Sequence, residues 1–244
     1  PRTSAAMQRM LAEIFTPEEV SVVLGGPEVG AAFSALPFDH LLFTGSAATA
    51  RHVARAEAEN LVPVTLELGG RNPVIVGRTA DIPSAAARLA TGKMASGGQV
   101  CVSPDYILAP REMLPDLRGE LEKQAARVYP TLLDNEDYTA IATAGHFERL
   151  RHLVDDARGK GADVTIVNPG AEPLWDHPAR KFPLCLLTDV TDDMLVMQEE
   201  TFGPILSLLP YDSLDEALAY VAGQPGPLSA YYFGRDEQEQ NRVV

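Results

Sequence analysis

Two stretches of this chain hold side chains able to do covalent chemistry. Glu67 lies in the apolar run Val62 to Leu68, ahead of Gly69-Gly70, and Cys101 ends Gly97-Gly98-Gln99-Val100-Cys101. A thiol that attacks and a carboxylate that activates water are the parts covalent catalysis requires. A glutamate in an apolar run is costly to bury alone, so it sits at a strand end or serves a reaction. The two glycines after it are read as leaving room for substrate or water. A lone cysteine is ordinarily a small buried hydrophobe. Around Cys101, though, glycines let backbone approach a ligand closely, polar Gln99 is a neighbour, and nothing has the pattern of core packing. The thiolate is the form such a role demands. A third block, Glu199-Glu200-Thr201-Phe202-Gly203-Pro204, follows downstream. By themselves Glu200 and Phe202 would read as a surface charge and a core aromatic.

Gly45-Ser46 falls between a strand-like run and a helical one. The free amides and dipole of a helix N-terminus there suit a phosphate. No Gly-x-Gly-x-x-Gly fingerprint accompanies it. Cys185, within Pro183-Leu184-Cys185-Leu186-Leu187, reads as a buried strand residue, and Tyr106, Trp175 and the other aromatics read as packing.

The elements that must position these residues follow from periodicity. Thr3 or Ser4 can cap a helix presenting Met7, Met10, Leu11 and Ile14. Val20 to Leu24 reads as a short buried strand, Val29 to Leu36 as a helix and His40 to Phe43 as a strand. Ala47 to about Glu59 is the next helix, and Pro63 to Leu68 the strand that delivers Glu67. Short apolar strands between amphipathic helices mean a parallel sheet covered on both faces. Beyond Gly70 the spacing predicts strands at Asn72 to Val76, Asp105 to Leu108, Val164 to Val167, Leu184 to Thr188, Ile205 to Leu209 and Ala230 to Phe233. Helices are predicted from Asp81-Ile82-Pro83 through Met94, over Glu112 to Val128, His146 to Lys160 and Leu214 to Val221, with another at the C-terminal end. A domain boundary falls near Gly69-Gly70.

Bulk properties narrow the partners. The 244 residues carry 20 basic and 34 acidic side chains, a net charge of −14. That field repels a phosphate backbone, so nucleic acid is not an expected partner. No apolar run approaches the roughly 20 residues that span a bilayer, and the opening Pro1-Arg2-Thr3-Ser4 lacks the apolar stretch of a signal peptide. Two cysteines fit a reducing compartment, so a cytoplasmic location is expected. The five histidines are scattered without zinc-like spacing, so no metal site is expected.

The blocks Thr65-Leu66-Glu67-Leu68-Gly69-Gly70, Gly98-Gln99-Val100-Cys101 and Glu199-Glu200-Thr201-Phe202-Gly203-Pro204, in this order, resemble the NAD(P)-dependent aldehyde dehydrogenase superfamily over essentially the whole chain. Phe43-Thr44-Gly45-Ser46 and the extension Cys101-Val102-Ser103-Pro104-Asp105-Tyr106 are most similar to the branch of coniferyl and class 3 (fatty and aromatic) aldehyde dehydrogenases. Arg71 stands where that family commonly has Lys, and Ser103 where it has a smaller residue. The resemblance implies an α/β fold. Residues 1–69 would be the C-terminal part of a Rossmann-like, parallel-sheet NAD(P)-binding domain, and 70–244 an α/β catalytic domain truncated at its C-terminal end.

It also implies that Cys101 is the nucleophile and Glu67 the general base. Glu200 would hold the nicotinamide ribose, Phe202 would pack near the nicotinamide, and Gly45 and Ser46 would lie near the pyrophosphate. The implied reaction oxidises an aldehyde to the carboxylic acid through a cysteine thiohemiacetal and thioester, with NAD or NADP, NAD being slightly favoured. A base at Glu67 favours hydrolysis over transfer to coenzyme A. The family's oxyanion asparagine and adenosine-ribose segment should precede Pro1, and its Pro-Phe-Gly-Gly-type segment should follow Val244. The chain is therefore read as an internal fragment, inactive or nearly so alone, of a homodimeric or homotetrameric enzyme. Two other readings use the same residues: a cofactor-independent cysteine esterase or thioesterase, which would need a histidine to activate Cys101, and a non-catalytic aldehyde dehydrogenase-like module.

Overall fold

The computed structural model describes residues 2–243 as an α/β chain that divides into two compact units, Pro1–Leu68 and Gly69–Val244. In the first, helix α1 (Arg2–Ala12) and helix α2 (Pro27–Phe33) precede strand β1 (Leu41–Gly45), helix α3 (Ala47–Asn60) and strand β2 (Val64–Leu68). β1 and β2 pair in parallel, with Thr44 opposite Glu67 and Gly45 opposite Leu68. Ser46 caps α3, its Oγ accepting the Thr49 amide at 3.2 Å. Such a cap satisfies one of the four amides a helix N-terminus leaves free. Leu61, with φ +55°, turns the chain out of α3 toward β2.

Two expectations fail in this unit. Thr3 and Ser4 lie inside α1 and do not cap it. Val20 to Leu24 is not a strand, and Val23 and Leu24 are exposed. A strand exists only where a neighbour supplies the hydrogen-bond ladder. Among the described residues this segment meets none, and Val22 O instead accepts from the Gln8 side chain at 2.7 Å.

The second unit is built on a six-stranded sheet. Its strands are β3 (Asn72–Val76), β4 (Pro104–Pro110), β5 (Asp163–Val167), β6 (Leu184–Thr188), β7 (Ile205–Tyr211) and β8 (Tyr231–Phe233), in the order β5-β6-β7-β4-β3-β8. All neighbours run parallel except β5 and β6, an antiparallel departure from the all-parallel pattern. The helices are α4 (Ile82–Met94), α5 (Leu114–Val128), α6 (Ala144–Gly159), the short α7 (Leu195–Gln198), α8 (Leu214–Ala222) and α9 (Glu237–Val243). Sequence periodicity missed α7, whose four residues are too few to show a period.

Alternation along the strands assigns the two faces. Val74, Val76, Ile107, Ala109, Leu184, Leu186, Leu206 and Leu208 form one core with Ala86, Leu89, Met94 of α4 and Leu117, Leu121 of α5. The intervening Cys185, Leu187 and Ile205 meet Phe147, Leu150 and Val154 of α6, while Ile75, Tyr106 and Leu108 meet Leu214 and Ala217 of α8. A sheet buried on both faces is what continuous apolar strands require. β3 is buried at all five positions.

One irregularity matters for the site. Where β3 meets β4, Asn72 registers with Pro104 but Pro73 with Tyr106, leaving Asp105 as the extra residue of a bulge. Bulges re-aim side chains and are over-represented beside active sites.

Candidate active site

Cys101 sits beyond α4 and just before β4. The 3-10 turn Ala95–Gly98 carries the chain there through three consecutive left-handed residues, Ser96 (φ +51°), Gly97 (+63°) and Gly98 (+73°). A left-handed Ser is strained, whereas glycine adopts this region freely. Gly98 is fixed by space as well. A Cβ there would lie 2.4 Å from the carbonyl carbon and oxygen of Gly203, so the cysteine loop and the Glu199–Pro204 block lie backbone to backbone. Gln99 holds the loop from the other side. Its Nε2 donates to Ser96 O (2.8 Å) and Ala140 O (3.2 Å), and its Oε1 accepts the Ala142 amide at 2.9 Å. Cys101 itself is exposed, while Cys185 is fully buried in β6.

The 199–203 segment is held at nearly every peptide. Arg149 of α6 donates to Thr201 O (3.0 Å), Glu200 O (2.5 Å) and the Glu199 carboxylate (3.0 Å). His146 Nε2 lies 2.8 Å from Phe202 O, and because a carbonyl only accepts, that nitrogen carries the proton. Burial lowers the His146 pKa, against the pull of its bond to Phe202 O and with the Arg149 charge adding to the fall. Thr201, fully buried, donates its amide (3.1 Å) and hydroxyl (2.6 Å) to Asp105 Oδ1. These bonds hold Phe202 at φ +48° with its ring partly exposed.

Asp105 is the pivot of a buried charged cluster. Arg71 Nε approaches its Oδ2 at 3.5 Å, while the Arg71 fork also donates to Met197 O and to Gln224 Oε1 (2.8 Å). At 3.5 Å that contact is an ion pair and not a hydrogen bond, and both atoms lack hydrogen-bond partners. Lys93 of α4, 1% exposed, donates to Pro104 O (2.6 Å) and Thr201 Oγ1 (3.2 Å). Burial pushes its pKa down to about 8 against the pull of Asp105 and Glu200.

The Glu200 carboxylate lies over Gly69 and Gly70. It accepts the Gly70 amide at 3.3 Å, and a Cβ on Gly69 would fall within 2.6 Å of its carboxyl group. The room that the sequence reading assigned to substrate or water at these glycines is taken by Glu200 and by the backbone of Pro227 and Leu228. Burial first and Asp105 second raise the Glu200 pKa. Half-buried, with one long backbone bond, this carboxylate has acceptor capacity for hydroxyl donors such as a ribose diol.

Within the first unit, Glu67 lies near the C-terminal end of β2, Gly45 ends β1 and Ser46 opens α3. All three thus stand at the carboxyl ends of parallel strands, where ligands of open α/β sheets bind. In the second unit the structure seats the loop leading to Cys101 against the block bearing Glu200 and Phe202, through Gly98 and Gly203, and in the first it sets Glu67, Gly45 and Ser46 at the ends of two paired strands.

Sequence reasoning missed Lys93, Asp105, Arg149 and His146 as supports of these residues, and read Arg71 only as a tolerated replacement. Lys93 had a detectable signal, a cation on the apolar face of an alanine-rich helix. Asp105 was read only as part of a branch-specific motif. Tyr231, read as packing, places its hydroxyl 2.5 Å from Val102 O.

All of residues 1–244 match the aldehyde dehydrogenase family. The chain is 52% identical over 244 residues to a probable coniferyl aldehyde dehydrogenase of Caulobacter vibrioides, covering 100% of this chain and 50% of that protein. It is 48% identical to the coniferyl aldehyde dehydrogenase of a Pseudomonas species, covering 100% and 51%. Among solved structures it is similar to Staphylococcus aureus AldH in a substrate-bound state. The TM-score is 0.89 and the identity 39%, covering 98% of this chain and 51% of that one. The chain therefore belongs to the aldehyde dehydrogenase family, and it spans about half the length of the curated relatives it matches.

Proposed function

We propose that this chain carries the reactive thiol, the water-activating carboxylate and part of the nicotinamide site of an enzyme that oxidises aldehydes to carboxylic acids. The observation that carries the reading is the seating of the exposed Cys101 loop against the segment bearing Glu200 and Phe202, through Gly98 and Gly203. A nucleophile must lie beside the group that accepts electrons from its adduct, and this contact supports such a placement.

In this reading the Cys101 thiolate attacks the aldehyde carbon, forming an Sγ–C bond and an oxyanion. Preorganised backbone donors, the Cys101 amide among them, stabilise that charge. When bound, the nicotinamide supplies the acceptor for the hydride that leaves the carbon. Glu200 would hold the nicotinamide ribose hydroxyls, Phe202 would pack beside the ring, and Gly45 and Ser46 would lie at the pyrophosphate. Glu67 takes a proton from water, whose oxygen attacks the thioester carbon. The C–S bond breaks, releasing the acid and restoring the thiolate.

The relatives named coniferyl aldehyde dehydrogenase support an aromatic aldehyde, with medium-chain aldehydes a second choice. NAD is favoured slightly over NADP, and a cytoplasmic homodimer or homotetramer is the expected assembly. A cysteine hydrolase would need an imidazole on Cys101. Three of the five histidine rings are bonded elsewhere: His146 to Phe202, His40 to Thr65 and His177 to Ala179.

The test is formation of NADH and NADPH from coniferyl, benzyl and medium-chain aldehydes by a polypeptide of the relatives' length carrying this sequence. Cys101→Ser should abolish turnover. Glu67→Gln should give one equivalent of reduced cofactor per site and then stall. Cofactor-free ester hydrolysis that survives Glu67→Gln, with no cofactor reduction, would sink the proposal.

A further inference from the structure

Resting on that reading, we propose that Asn72 and Tyr231 are positioning residues for Cys101, acting together as a clamp on its loop. Asn72 is fully buried at the start of β3, one residue before Pro73 and beside the bulge at Asp105. Its Nδ2 donates to Cys101 O at 2.8 Å and to Ser103 O at 3.0 Å, and its Oδ1 accepts the Ser229 amide at 2.9 Å. The intervening carbonyl, that of Val102, accepts the Tyr231 hydroxyl at 2.5 Å. Three successive carbonyls, from the nucleophile onward, are thus tied to two side chains of neighbouring strands, β3 and β8.

The strand pairing gives the clamp its rigidity. Val74 registers with Tyr231, so the two side chains rise from adjoining points of a parallel ladder. Asn72 uses both amide hydrogens and one carbonyl lone pair on backbone alone, an arrangement its hydrogen-bonding inventory suits. The bulge is what makes this reach available, because it shifts the β3–β4 register by one residue at Asn72. A loop leaving the left-handed Ser96–Gly98 turn has only two backbone bonds of its own between residues 99 and 103, Gln99 N–H to Ser96 O (3.3 Å) and the turn bond from Ser103 N–H to Val100 O (2.9 Å). That turn fixes the local bend at Cys101, while its placement against the sheet, and with it the place of Sγ, is set by Gln99 on one side and by this clamp on the other. Catalytic geometry must be held within fractions of an ångström, and supporting hydrogen bonds do that holding.

Two measurements on Tyr231→Phe and Asn72→Ala test the clamp. The first is amide hydrogen exchange of residues 99–103 in the 244-residue chain, beside exchange across β6 and β7 as a global reference. Loss of one bond should speed local exchange roughly fivefold in Tyr231→Phe and by more than about tenfold in Asn72→Ala, with β6 and β7 unchanged. Tyr231→Phe keeps the ring and its packing, so it remains informative if Asn72→Ala fails to fold. The second is steady-state kinetics in the polypeptide of the relatives' length, where kcat should fall about tenfold in Tyr231→Phe with the KM for the cofactor unchanged.

Unchanged loop exchange, or acceleration spread equally over β6 and β7, would overturn the clamp. Loop release with undiminished kcat in an active wild type would overturn its positioning role. Wild type that reduces no cofactor would remove the proposed function instead, and the exchange result would still decide whether the clamp exists.

Discussion

At the scale of single residues, the two cysteines are separated by environment. Cys185 is fully buried between apolar neighbours, and burial pushes its thiol up to about 12. Cys101 is exposed. Iodoacetamide near pH 8 should therefore add one equivalent, mapped to Cys101 by peptide mass spectrometry, and a second equivalent in folded protein would contradict the fold around β6. Lys93 makes a pH-dependent contribution whose sign follows from its depressed pKa, about 8 against 10.5. Between those values the unfolded chain holds the proton and the folded chain does not, so stability rises with pH across that window. Below about pH 8 the folded protein carries the buried charge at full cost. Measured by urea unfolding, wild type should gain on Lys93→Met by about 2 kcal/mol between about pH 7.5 and 9.5. No differential pH response would show that Lys93 is not buried as described.

At the scale of elements, glycine positions discriminate between turns that need the residue and helices that do not. Gly98 has φ +73° and lies against the Gly203 carbonyl, so Gly98→Ala should cost about 3 kcal/mol or more and disturb the Cys101 loop. Gly119, exposed within α5, has nothing within 4 Å of where a Cβ would stand. Gly119→Ala should therefore raise stability by roughly 0.5–1 kcal/mol, read as a higher midpoint in thermal unfolding. Apolar periodicity was sufficient to find β3, β4, β6, β7, α4, α5 and α6, because each buries a stripe or a whole strand whose pattern is local. It failed at Val20 to Leu24, where the apolar run is present but the neighbouring strand is not. It also could not see that β5 runs antiparallel to β6, since direction is a property of the pairing.

At the scale of the molecule, burial is distributed unevenly. Among the described residues of the first unit the buried apolar side chains are Ala50, Val53 and Val62, and neither α1 nor α2 contributes one. Exposed there are Met7, Met10, Ile14, Phe15, Val23, Leu24, Phe33, Leu36, Leu42, Leu61 and Leu66. The second unit has three apolar clusters about its sheet. Apolar burial is the main favourable term in folding, so local stability should follow it. Amide exchange across residues 2–68 is expected to be complete well before that of β3, β4 and β7. Comparable protection in both units would refute this partition.

The sequence by itself determined the reactive residue types, their order along the chain and the local elements that carry them. Cys101, Glu67, Glu200 and Phe202 were legible as the proposed site residues because each sits in a short motif whose residues are neighbours in the chain. Only the tertiary structure decided what holds Cys101, Glu200 and Phe202: the Asp105 bulge, the buried Arg71 and Lys93 charges, the Arg149 and His146 bonds to successive carbonyls, and the clamp made by Asn72 and Tyr231. Lys93 and Thr201, like Asn72 and Ser229, are joined across more than a hundred residues. The physical reason is that buried charges and carbonyl partners are matched in space by chain crossings, and linear spacing carries no record of which strand ends beside which.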